Sequence, residues 1–231
     1  SHFEVINKFP PQSKEYFTES DIGLWEDNFL SSFNKLGINK IDAYLLHSSY
    51  DLKKSGSNFL IDWLSSLKER GLVKRLGLSV YDSYELEGIN LQEFQLIQLP
   101  LSIYDQRFLI DGTISKLKSY GLSIHARSIY LQGLILTDSS QWPDWVDNDI
   151  KRHHESLEKL ARYYNCSLLQ ICIAFIHHHM FLEGYVVGIC NLAQMQELIL
   201  SIKSSKAFGD LEWQNWAINN PDFINPRAWP K

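Results

Sequence analysis

Residues 41–80 read IDAYLLHSSYDLKKSGSNFLIDWLSSLKERGLVKRLGLSV, and this stretch decides the fold. Ile41–His47 is a short, largely apolar run ending in a histidine, and Val73–Val80 is a second run of the same kind. Between them Phe59, Leu60, Trp63, Leu64 and Leu67 recur at three- and four-residue spacing, which predicts a helix over Phe59–Arg70 with one apolar face. Gly71 follows that helix and precedes the strand, where a left-handed C-cap residue is wanted. Strands apolar on both faces, alternating with amphipathic helices, make the repeating unit of a covered parallel sheet.

The same alternation extends in both directions. Phe3–Phe9, Phe94–Pro100, Leu122–Ser128 and Gly184–Ile189 are further candidate strands, and Trp25–Leu36, Leu109–Tyr120 and Leu192–Lys203 are candidate covering helices, with Gly121 as a second C-cap. An insertion between the fifth and sixth strands holds helices over His153–Tyr164 and Leu168–His178, with Ser167 placed to cap the second. The tail Ala207–Lys231, rich in Trp and Pro, reads as an irregular strap. A (β/α)8 barrel closes with eight strands, so six leave open edges that favour self-association. An open doubly wound sheet tolerates six strands but calls for a Gly-rich phosphate loop after the first; Pro10-Pro11-Gln12-Ser13 follows Phe9 instead. The expectation is one α/β domain over residues 1–231, an incomplete (β/α)8 TIM-barrel fold with about six parallel strands.

Composition narrows the partners. A chain of 231 residues with 45% apolar residues can bury one sizeable core, and a net charge of −5 with both signs interspersed speaks against nucleic acid or an anionic membrane. A small molecule is the expected ligand. The three cysteines, Cys166, Cys172 and Cys190, lack metal-type spacing and read as small buried hydrophobes in a reducing compartment. No apolar run of about 18 residues and no signal-peptide pattern is visible, so a cytoplasmic location is expected. The triplet His177-His178-His179 does not converge on a metal, because consecutive helical residues point about 100° apart.

Lys8 ends the first strand, FEVINKF, and His47 ends the second. Taken alone, one is a solvated charge and the other a satisfied buried histidine. They are followed in order by GLSVY at 77–81, QLIQLPLSIYDQR at 95–107, RSIYLQGLIL at 127–136, VVGICNLAQMQEL at 186–198 and the ending INPRAWPK. That ordered series resembles the aldo-keto reductase superfamily across essentially the whole chain. The resemblance implies an oxidoreductase moving hydride between NADPH or NADH and an aldehyde or ketone. It makes Lys8 and His47 catalytic, and it gives Ser79 and Gln98 the nicotinamide carboxamide. Arg127 falls where many members carry a Tyr that stacks on the nicotinamide. Gly188, with Ile189 and Cys190, would line the pyrophosphate, and Glu197 matches an adenine contact. Gln194 stands where NADPH-preferring members often carry an Arg for the 2′-phosphate, which shifts the expectation toward NADH or toward weaker binding altogether.

In the family an Asp that holds the Lys and a Tyr that donates the proton precede the Lys strand. The sequence starts at what corresponds to the third barrel strand, and neither Tyr16 nor Asp21 maps onto those positions. The alternative expectation is therefore a truncated, catalytically inactive homologue that binds a nucleotide or a partner.

Overall fold

A computed structural model describes residues 3–204, 208 and 211–230. Six parallel strands, β1 (Ile6–Phe9), β2 (Ile41–Leu46), β3 (Val73–Ser79), β4 (Leu96–Pro100), β5 (Ser123–Arg127) and β6 (Gly184–Tyr185), follow one another in sequence order. The helices are α1 (Asp21–Leu36), α2 (Ser57–Glu69), α3 (Arg107–Ile110), α4 (Thr113–Ser119), α5 (Asn148–Tyr163), α6 (Leu168–His178), α7 (Leu192–Lys203) and α8 (Pro221–Ile224). This is the incomplete (β/α)8 architecture expected, six strands where a closed barrel has eight. The chain falls into two compact units, one of residues 1–99 with 112–124, the other of 100–111 with 125–231.

In the first unit the register pairs Lys8 with Leu45, Leu45 with Gly77 and Gly77 with Leu96, so these four side-chain positions lie in one row on one face. The opposite face is aromatic. Phe9, Tyr44, Trp25, Phe29 and Trp63 are buried there, with Phe9–Trp63 ring centres at 5.5 Å and Phe29–Tyr44 at 5.2 Å. Such edge and tilted pairs add roughly 0.5–1.5 kcal/mol each beyond the area they bury. They fix α1 and α2 to the sheet. Asp42, at the foot of β2, pairs with Arg75 and Lys74; burial pushes its carboxyl up, and those two cations outweigh the effect and hold it below the ordinary value.

In the second unit α6 is buried at Leu169 and from Ile171 to Ile176. Its start is fixed by a full capping box, with Gln170 N–H donating to Ser167 Oγ at 3.2 Å and Ser167 N–H donating to Gln170 Oε1 at 2.8 Å. The tail carries a 3-10 turn at Trp213–Trp216 and α8; Ala207, Gly209, Asp210 and Lys231 of the expected strap lie outside the described residues. Among the described residues no helix is long and apolar enough to cross a membrane.

Three expectations need correction. The helix expected over Leu109–Tyr120 is two helices, because Gly112 between α3 and α4 adopts φ +78°. The sixth strand is two residues long, since β5, its partner, ends at Arg127 and the chain turns left-handed at Ser128, φ +57°. Of the cysteines only Cys172 is fully buried, its thiol pushed up to about 12 by that burial, whereas Cys190 is exposed and Cys166 intermediate.

Candidate functional site

The first unit assembles a polar row at the C-terminal ends of its strands. Lys8 and Leu45 are register partners, and His47 is two residues beyond Leu45, so Lys8 and His47 lie on the same face. Two residues of rise and one strand spacing put their α-carbons about 8 Å apart. The His47 N–H donates to the Phe9 carbonyl at 3.0 Å, which continues the parallel pairing past the end of β2. Ser79 pairs with Gln98 in register, and both are buried. Lys8 reaches across β2: its Nζ donates to Ser79 Oγ at 3.2 Å. Lys8, His47, Ser79 and Gln98, named from the sequence, thus end on one edge and one face of this unit.

Gly77 allows the close approach of β3 to its neighbours on this face. A Cβ there would lie 2.3 Å from Leu45 Cδ2 and 2.3 Å from the Leu96 carbonyl oxygen. Leu45 leans into that space, and Ala43, Leu45 and Leu96 form an apolar floor with Ile6. Above, the loops after β1 and β2 are tied together: Asp51 accepts from Gln12 N–H at 3.2 Å and from Lys54 Nζ at 2.6 Å. Tyr16 is exposed, and Asp21 holds the start of α1 by accepting from the Thr18 N–H at 2.9 Å. Neither serves the row.

The second unit contains a cavity of about 570 Å³. Arg127, Gly188, Gln194 and Glu197, all named from the sequence, line it together with Ile189 and Cys190. Arg127 is 8% exposed, and its carbonyl accepts from the Leu101 N–H at 3.1 Å. Opposite stands the start of α7, where Asn191 Oδ1 accepts from Gln194 N–H at 2.9 Å and Gln194 Oε1 accepts from Cys190 N–H at 2.8 Å. Gln194 therefore closes the helix end on itself.

Sequence reasoning quoted the segment after β5 within RSIYLQGLIL but named no site residue in it beyond Arg127. Ser128, Leu131 and Gln132 take φ of +57°, +43° and +54°, and Ser128, Tyr130, Gln132 and Gly133 line the cavity. Left-handed backbone at non-glycine residues costs on the order of 1–3 kcal/mol each and gathers at ligand sites. Only Gly133 hinted at it. The cavity size falls within the range of small-molecule sites, roughly 300–1,000 Å³.

A family model described as Aldo/keto reductase family matches residues 10–215. No curated protein matches the chain. Among solved structures, the holo form of aldo-keto reductase AKR11C1 from Bacillus halodurans aligns with a TM-score of 0.70 at 18% identity, over 94% of this chain and 73% of that one. Its apo form gives 0.66 at 17% identity, over 93% and 71%. A putative aldo-keto reductase from Pseudomonas aeruginosa gives 0.58 at 13% identity, over 88% and 67%. At these identities the structural likeness carries the fold, and the model match carries the family.

Proposed function

Because the chain belongs to the aldo/keto reductase family, we propose that it is a nicotinamide-linked oxidoreductase acting on an aldehyde or ketone. The observation that carries this is the cavity in the second unit, which gathers Arg127 with residues 60 and more positions later, the same residues that the family resemblance assigns to the dinucleotide.

The lining fits such a group. Gly188 has open space where a Cβ would stand, so a ligand can approach its backbone, and Arg127 offers a planar guanidinium at the position that the resemblance gives to the nicotinamide ring. Gln194 takes up the Cys190 N–H and brings no charge, which favours a free 2′-hydroxyl and hence NADH over NADPH. A bound nicotinamide would supply the hydride. His47 would donate a hydrogen bond to the carbonyl oxygen and orient it, while the Lys8 ammonium, held by Ser79, would stabilise negative charge growing there until a proton from solvent completes the alcohol. The buried Gln98 amide and the Ser79 hydroxyl would hold the carboxamide.

Fluorescence titration with NADH and NADPH tests the reading. Saturable NADH binding, tighter than NADPH and weakened several-fold in Arg127→Gln, is the expected result. Aldehyde-dependent loss of NADH absorbance then separates a reductase from a protein that only binds nucleotide. Absence of saturable binding by either dinucleotide would overturn the proposal.

A further inference from the structure

Among the described residues that line the cavity of the second unit, the buried charge is positive. β5 and β6 pair His125 with Gly184 and Ala126 with Tyr185, and the Val186 N–H donates to the Ala126 carbonyl at 2.7 Å. The next register step therefore sets Arg127 beside Val186 on one face of the sheet, and both line the cavity. Arg127 is 8% exposed, and a guanidinium keeps its proton at any working pH. The carboxylate in the lining, Glu197, stands at an exposed position of α7, where water screens it. Tyr130 is held neutral, because burial, helped by Cys172 and Tyr185, pushes its phenol up. Ile129, Leu136, Leu169, Ile189 and Leu198 make much of the remaining wall apolar.

We infer that the cavity discriminates by charge between the two redox forms of its nucleotide, taking the reduced form and rejecting the oxidised one, with Arg127 as the discriminating residue. The inference rests on the nucleotide reading of the cavity given above and adds to it which form the site selects.

The two forms differ by one hydride on the nicotinamide ring: the reduced ring is neutral and the oxidised ring carries one positive charge. Phosphates, riboses and adenine are shared, so their contacts cancel in the ratio of the two affinities, and specificity is that ratio. What remains is a unit charge meeting the field of the cavity. A guanidinium out of water repels a cation brought into the same apolar enclosure more strongly than an exposed, screened carboxylate attracts it. The sign holds wherever along the cavity the ring lies, and the effect is largest with the ring beside Arg127, where the planar guanidinium can also lie flat on a neutral ring. A reductase built this way loads with reduced nucleotide in the presence of excess oxidised nucleotide and lets the spent form leave.

Calorimetric titration with NADH and with NAD+ in separate runs reads both affinities, for the unaltered protein, Arg127→Gln and Arg127→Lys. The expected result is NADH bound about tenfold or more tightly than NAD+, a ratio that falls toward one in Arg127→Gln and is largely kept in Arg127→Lys, which retains the charge. The ratio should also survive high salt, since ions do not enter between a buried charge and its ligand. A merely structural role for Arg127 would weaken both forms alike and leave the ratio unmoved. Because the ratio compares two ligands on one sample, partial misfolding of a variant lowers the binding fraction and not the ratio, and the unaltered protein tests the sign without any variant. Equal affinity for the two forms, a ratio that Arg127→Gln leaves unchanged, or one that salt abolishes would overturn the inference while leaving the nucleotide site standing. Absence of binding by either form would overturn both.

Discussion

His154 is fully buried, and both of its ring nitrogens are committed. Nε2 lies 2.9 Å from the Thr137 carbonyl, which can only accept, so the proton sits on Nε2 and Nδ1 accepts from the Tyr104 hydroxyl at 2.7 Å. Trp142 stacks on the ring at 4.3 Å. Burial lowers the pKa of His154 below 6.5; the Thr137 hydrogen bond and the charges of Glu158 and Asp138 oppose this only in part, and His153 adds to the lowering. In the unfolded chain the same imidazole takes its proton near 6.5, so the stability it contributes is complete above that value and is lost as pH falls toward the lowered one. His179, lowered to about 4 by burial, acts with the same sign. Urea denaturation across the mildly acidic range should therefore show a midpoint that rises with pH. His154→Leu should reduce stability by about 2–4 kcal/mol, since it strands the Tyr104 hydroxyl and the Thr137 carbonyl, and should flatten that slope. A pH-independent midpoint in the unaltered protein would refute the assignment. None of this network was legible in the sequence; burial and tautomer follow from packing across 50 residues. The places of Lys8 and His47 at strand ends were legible, because a polar residue ending an apolar strand is visible as such; a role for them came only from the resemblance.

Period and punctuation made α6 and α7 readable to the residue, whereas Leu109–Tyr120 was misread because its apolar spacing runs through Gly112 without interruption. Backbone handedness leaves no trace in hydrophobic period. The strands were readable in place and too long at their ends. β1 starts at Ile6 because the Val5 carbonyl takes both Asp42 and Ala43 N–H groups, at 2.9 and 3.4 Å, instead of continuing the regular ladder. Two substitutions test how elements are held. Ser167→Ala removes half of the α6 capping box and should cost about 1 kcal/mol in thermal or chemical denaturation, with no change in NADH affinity. Gly77→Ala is a different matter, because one of the two clashing atoms is the backbone oxygen of Leu96 and cannot rotate away. A loss of about 1–3 kcal/mol in chemical denaturation is expected from forced strand movement. An Ala variant as stable as the parent would mean that the row tolerates a side chain at 77.

At the scale of the whole chain, the two compact units are not two successive segments. The polypeptide passes from one to the other after Leu99, back at Gly112 and out again after Ile124, and the first and last of these passages lie inside β4 and β5. Within the first unit the Ser123 N–H donates to the Gln95 carbonyl at 2.9 Å, and within the second the Leu101 N–H donates to the Arg127 carbonyl at 3.1 Å, so the same two stretches of chain supply ladder bonds to each unit. Unfolding one unit would release one end of both strands, which predicts a single cooperative transition, as one domain requires. Denaturant-dependent amide exchange tests this without any substitution, because the first unit carries buried reporters at Leu45 and Leu78 and the second at Ile173 and Phe175. If the strands couple the units, the slowest amides of β2, β3 and α6 converge on one opening free energy and one denaturant slope. Two separate free energies, with α6 opening while β2 stays protected, would mean that continuity of β4 and β5 does not transmit stability and that each unit folds on its own core.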